Sequence, residues 1–193
     1  MKRTIGVLSL QGGFASHIKA LESLGVSVRE IRTTEELAHC DGLVIPGGES
    51  TVITKLLLAD GASFYETLRD FASRFPVMGT CAGLIMLARP VEDPRVVTLD
   101  VLPVTVERNS YGRQTESFIE NIELDLGLKE TALYPATFIR APRISSMEKG
   151  VLVLARTKND IVMVRSANIL GLTFHPELTP ADTRIHEYFL TMR

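Results

Sequence analysis

The stretch Val77-Met78-Gly79-Thr80-Cys81-Ala82-Gly83-Leu84-Ile85-Met86-Leu87-Ala88 ("VMGTCAGLIMLA") sets one of two cysteines between an apolar strand-like run and an apolar helix-like run. Gly79 and Gly83 flank Cys81, each two residues away. Gly-x-Cys-x-Gly between strand and helix has the form of a nucleophile elbow, with sulfur in place of a serine hydroxyl. So sharp a turn drives its central residue into strained backbone space, and neighbours without side chains let strand and helix pack closely. Cys81 then stands at a helix N-terminus, where the positive end of the dipole favours an anion. A small cysteine packed in a core turn is the plain alternative, and an isolated Gly-x-Cys-x-Gly divides evenly between the two.

Upstream of the elbow the chain alternates. "TIGVLSL" predicts a buried strand, Phe14 to Leu24 a helix stopped by Gly25, "VSVREI" a second strand and "GLVIPGG" a third ending in a glycine pair. Thr51 to Leu58 and Phe64 to Phe75 predict helices, and "PVMG" a fourth strand leading into Cys81. Strand alternating with helix predicts a doubly wound, mostly parallel α/β sheet flanked by helices. After Pro90 the pattern changes. "VVTLDVLPVTVERN", "FIRAPRI", "VLVLART" and "IVMVRS" read as short strands with hairpin turns, a small antiparallel insertion. "ILGLTF" reads as one more core strand and Pro180 to Met192 as a closing helix. No repeat or linker divides the chain, so residues 1–193 are expected to form a single domain.

Composition narrows the setting. The 193 residues suffice for one core and are few for two domains. A formal net charge of −2 gives no reason to expect a nucleic-acid or anionic-membrane partner. The opening "MKRTIGVLSLQGG" mimics a signal peptide only briefly, because its apolar run is short and ends in Gln11-Gly12-Gly13. No run approaches the roughly 20 apolar residues of a membrane span. Two cysteines far apart suggest reduced thiols and a cytoplasmic protein.

A thiol nucleophile needs a proton carrier. His17, His39 and His186 lie in or near predicted helices and read as structural or surface residues. His175 differs, since "GLTFHPEL" puts it directly after a strand and before Pro176 and Glu177. In open α/β sheets the site lies at the carboxyl ends of strands, which Cys81 and His175 both follow. Pro176 favours an extended backbone at His175, and residues two apart in such a segment share a side, so Glu177 can orient the ring as a third triad member. Capping is the plain reading of Glu177 taken alone.

These motifs together resemble the class I (triad) glutamine amidotransferases, and within them the glutaminase subunits of pyridoxal 5′-phosphate synthase. "LQGG", "PGGEST", "GTCAGLI", "VERNSYGRQ", "FIRAP" and "FHPELT" carry the likeness in order from residue 10 to residue 179. "VERNSYGRQ" and "FIRAP" distinguish that branch, and other motifs there would mark a glutaminase subunit of a different biosynthetic amidotransferase. The resemblance implies hydrolysis of L-glutamine to L-glutamate and ammonia, with the ammonia passing to a barrel-shaped synthase subunit in a hetero-oligomeric complex. It implies neither cofactor nor metal. It makes Cys81 the nucleophile and His175 with Glu177 its partners, and it gives glutamine binding to Gly48, Glu49, Ser50, Arg108, Ile139 and Arg140. Arg108 or Arg140 suits the substrate carboxylate and Glu49 its ammonium, although Glu49-Ser50-Thr51 reads equally as a helix cap. Backbone N–H groups of Ala82 and Gly48 suit an oxyanion, and positive φ at Gly47 and Gly48 would let the peptide between them flip. The chain departs from the branch at Ser16, where an acidic residue usually precedes the first-helix histidine. That difference bears on partner affinity more than on chemistry. "ARPVEDPRVVTLDV" is short and lacks a glycine-rich turn.

Overall fold

The computed structural model describes residues 3–108, 117–127 and 133–193. The first part alternates as the sequence predicts: β1 (Thr4–Leu8), α1 (Phe14–Ser23), β2 (Ser27–Ile31), a short α2 (Thr34–Leu37), β3 (Gly42–Ile45), α3 (Ser50–Leu57), α4 (Ser63–Arg74), β4 (Val77–Thr80) and α5 (Ala82–Leu87). The second part holds β5 (Val104–Glu107), β6 (Phe118–Leu124), β7 (Leu133–Phe138), β8 (Arg143–Met147), β9 (Leu152–Arg156), β10 (Ile161–Ser166), β11 (Ile169–Leu172) and α6 (Arg184–Thr191).

Among the described residues one nine-stranded sheet has the order β2-β1-β3-β4-β11-β10-β9-β6-β7, and β5 pairs with β8 in a second sheet. From β2 to β11 neighbouring strands run parallel. From β11 to β7 they run antiparallel, so most of the antiparallel segment continues the main sheet. Alternation along the strands feeds two cores. Leu43, Ile45 and Val77 join Ile53, Leu68 and Leu84 of α3, α4 and α5 on one face. Val44 and Met78 join Leu21 of α1 and Ile185 and Phe189 of α6 on the other. Helices on both faces of a sheet with a parallel half give the doubly wound α/β class.

Three expectations are corrected. "FIRAPRI" is not one strand: β7 ends at Phe138 and β8 starts at Arg143, because Arg140 turns to φ 44° and Pro142 offers no N–H to a ladder. "VVTLDVLPVTVERN" keeps only Val104–Glu107 as strand, since Asp100 at φ 55° and Pro103 interrupt the run. The closing helix begins at Arg184, where the Asp182 carboxylate accepts the Arg184 N–H and holds a turn ahead of it. Strand β6 was not anticipated. Asn109 to Gln114 of "VERNSYGRQ" lie outside the described residues.

Candidate active site

Cys81 has φ 50° and ψ −106°, the strained elbow its neighbours foretell. Both flanking glycines are required by close approach. A Cβ at Gly83 would stand 1.9 Å from the Ile45 carbonyl oxygen, and one at Gly79 would stand 2.6 Å from Gly83. The Cys81 N–H donates to the Leu172 carbonyl at 2.8 Å, which locks the elbow to β11. Because β4 and β11 are parallel neighbours with Thr80 opposite Leu172, Cys81 and His175 emerge at the same sheet edge. The His175 N–H donates to Thr137 on β7 at 2.9 Å.

Behind His175, residues Pro176–Leu178 form a 3-10 turn that curls Glu177 back under the ring. His175 Nδ1 donates to Glu177 Oε1 at 2.8 Å. That leaves Nε2 for the Cys81 side; it is buried and makes no hydrogen bond among the described residues. The Cys81 thiol meets the Ile139 carbonyl at 3.8 Å. Burial opposes a charged His175, but Cys81 and then Glu177 outweigh it and raise the ring's pKa to about 10. Burial likewise works against a charged Glu177, yet His17 and then His175 hold its carboxyl well below the usual carboxylate range.

Cys81 and His175 open into a cavity of about 230 Å³, lined also by Gly48, Glu49, Ser50, Ala82, Arg108, Ile139 and Arg140. Every predicted site residue therefore meets in one place, with Glu177 just behind the wall. Three local details bear on these expectations. Glu49 does not cap α3 with its side chain: its carboxylate takes the Thr51 hydroxyl at 3.3 Å, and Arg108 Nη2 lies 3.5 Å away. Arg108 is clasped by Asp93, a residue of the short stretch after α5, whose carboxyl is held below its usual range by Arg95 and then Arg108. Gly47 and Gly48 do not occupy positive φ. A Cβ at Gly48 would meet Gln11 Oε1 at 2.2 Å, so a larger residue there would have to displace that side chain. The Gly47 carbonyl accepts from Gly13 at 3.1 Å, and Gln11 Oε1 accepts the Glu49 N–H at 2.7 Å. Cys40 is buried, as read, and His39 is exposed.

A soft sulfur nucleophile, an imidazole beside it and a buried carboxylate behind the imidazole form the constellation of covalent acyl transfer. The SNO glutamine amidotransferase family matches residues 7–193. The chain belongs to that family. Relatives of this amidotransferase include a protein of Koribacter versatilis named pyridoxal 5′-phosphate synthase subunit PdxT, 48% identical over 97% of this chain and 94% of the relative. A Thermosipho africanus protein of the same name is 47% identical over 97% of both chains. A crystal structure of a glutamine amidotransferase superposes with a TM-score of 0.87 at 42% identity and covers 97% of each chain. The fold is that of the class I glutamine amidotransferases. Among the described residues no helix is long and apolar enough to cross a membrane.

Gln11, Thr80 and Asp93 belong to this site or its immediate support and were not singled out from the sequence, and His17 and His186, read there as structural or surface residues, support it from behind Glu177. A usable signal existed for two of them. His17 sits four residues before Leu21 on the apolar face of α1, and His186 three before Phe189 on that of α6. A polar ring on an apolar face needs a buried partner.

Proposed function

We propose that this amidotransferase is the glutaminase subunit of a pyridoxal 5′-phosphate synthase. It hydrolyses L-glutamine to L-glutamate and ammonia in the cytoplasm and hands the ammonia to a barrel-shaped synthase subunit, and residues 1–193 serve as one glutaminase domain. The observation that carries the reading is the meeting of Cys81 and His175 at a small cavity, with Glu177 bonded behind the ring, in a chain so close to proteins of that name.

The steps follow from the chemistry of the groups. His175, its pKa raised to about 10, holds the proton of the pair, and the Cys81 sulfur attacks the side-chain amide carbon of glutamine. The developing oxyanion is met by the N–H of Ala82, the first residue of α5 and so without a helical partner, and by that of Gly48. The imidazolium returns its proton to the departing nitrogen, ammonia leaves, and a thioester remains. Water then attacks the thioester, His175 accepts its proton, and glutamate departs as the thiol is restored. Arg108 or Arg140 holds the substrate carboxylate, and Glu49 its ammonium. Substrate must then compete with Asp93 and Glu49 for Arg108.

An ammonia-release assay with and without the synthase subunit tests this reading. The chain alone should be a poor glutaminase and the complex at least about 10²-fold faster, the scale of one oxyanion donor. A complex that releases no ammonia from glutamine would overturn the assignment.

A further inference from the structure

Glu177 has two carboxylate oxygens, and His175 takes only one. Oε2 lies 3.1 Å from Nε2 of His17, on α1. The same ring nitrogen is 3.3 Å from Thr80 Oγ1 at the end of β4, and that oxygen accepts the Gly47 N–H at 3.0 Å. On the other side of the ring, Nδ1 is 3.0 Å from Nε2 of His186, on α6. His17, Thr80, Glu177 and His186 are all buried.

The proton positions can be deduced. An unprotonated Nε2 would set a lone pair against a buried carboxylate, so Nε2 carries the hydrogen. On the other side His17 Nδ1 faces His186 Nε2, and burial and then His17 push the His186 pKa down to about 3, so His186 is the uncharged ring of the pair at neutral pH. Among the described residues Glu177 Oε2 makes no well-directed hydrogen bond, and the 3.1 Å approach of His17 Nε2 is an ion-pair contact. Without His17 this buried oxygen would also lose the charge-bearing group beside it.

We infer that His17 is a positioning residue of the glutaminase reaction, fixing the Glu177 carboxylate and, through the Thr80 hydroxyl, the Gly47 end of the loop beside Cys81. A carboxylate held at one oxygen can rotate about its terminal torsion; held at both, it fixes the plane of the His175 ring. The same ring steadies Gly47, whose Cα is so close to the His175 ring that a Cβ there would stand 2.5 Å from Cε1. One buried imidazole thus joins the acid behind His175 to the loop in front of it. The inference rests on the reading of Cys81, His175 and Glu177 given above.

Two substitutions separate positioning from packing. The amide nitrogen of glutamine reaches the place of ring Nε2, and that of asparagine reaches only the place of Nδ1. In the complex with the synthase, His17→Gln should keep kcat within about fivefold of the parent. His17→Asn should lower kcat about 20-fold or more with KM within about twofold. In the free chain, the 13C carboxyl resonance of Glu177 should stay ionised down to about pH 5 in the parent and in His17→Gln, and should titrate above that in His17→Asn. Equal kcat in the two variants, or a Glu177 carboxyl indifferent to His17→Asn, overturns the inference. Should His17→Asn not fold, Thr80→Val carries the kinetic test, and a kcat within about twofold of the parent overturns it. A parent complex that does not hydrolyse glutamine removes the proposed function instead, while the carboxyl titration still decides the role of His17.

Discussion

At the scale of single residues, two cysteines in one chain are set apart by their surroundings. Cys81 faces a cavity beside a charged imidazole. Cys40 is enclosed, and burial pushes its pKa up to about 11, so at neutral pH almost none of it is thiolate. A glutamine-like electrophile should therefore label Cys81 and spare Cys40, as peptide mass mapping after brief exposure will show. Cys81→Ala should abolish ammonia release in the complex while changing the unfolding free energy by less than about 1 kcal/mol, because few contacts depend on the sulfur. Retained ammonia release would refute the nucleophile. Cys81, His175 and Glu177 were legible because each sits in a short local pattern: a glycine-flanked turn, a strand end, a proline. His17 and His186 were not, because their meeting depends on how α1 and α6 pack on the sheet, and no local spacing encodes that. Asp93 was hidden for the same reason, since its partner Arg108 follows β5.

At the scale of elements, the elbow works only if α5 lies almost against β3. Gly83 sets that distance. Gly83→Ala would press a methyl group into the Ile45 carbonyl, a backbone atom that cannot swing aside. We expect about 3 kcal/mol of destabilisation, read as a lowered urea midpoint with unchanged slope, and a loss of activity as Cys81 shifts from the cavity. Gly25, where an added Cβ meets nothing, is the control for space, although its φ of 78° adds strain of its own. Regular elements with a clean period were readable in advance: β1, α1, β2, α3, α4 and β4 fall within a residue or two of expectation, whereas β3 stops at Ile45, short of the glycine pair. Where a proline or a left-handed residue interrupts an apolar run, apolar content misleads, as at Arg140 and Asp100. The alternating charged and apolar run of β6 reads weakly because much of the strand is exposed.

At the scale of the whole molecule, acid and base act on different buried groups. The neutral His186 has a folded pKa below its unfolded value of about 6.5, so the unfolded chain binds the proton first and stability is lost as pH falls from there towards 3. Glu177 acts in the same direction at lower pH. His175 has a folded pKa above its unfolded value; its contribution is complete below about pH 6.5 and is lost as pH rises towards 10. Urea unfolding at pH 5, 7 and 9 should place maximum stability near neutrality, and a monotonic trend would contradict the buried cluster. The doubly wound class was legible from the alternation of strand and helix. The strand order was not, because β11 enters beside β4 from far along the chain. That entry has a consequence for synthesis. As the chain leaves the ribosome, β4 and its cysteine are made well before β11, their neighbour in the sheet. Until β11 is inserted, Cys81 has no histidine beside it, and its turn lacks the Leu172 carbonyl that locks it. On the function proposed above, a growing chain thus carries its nucleophile without the proton carrier, and the two meet only when folding closes the gap between the two halves of the sheet.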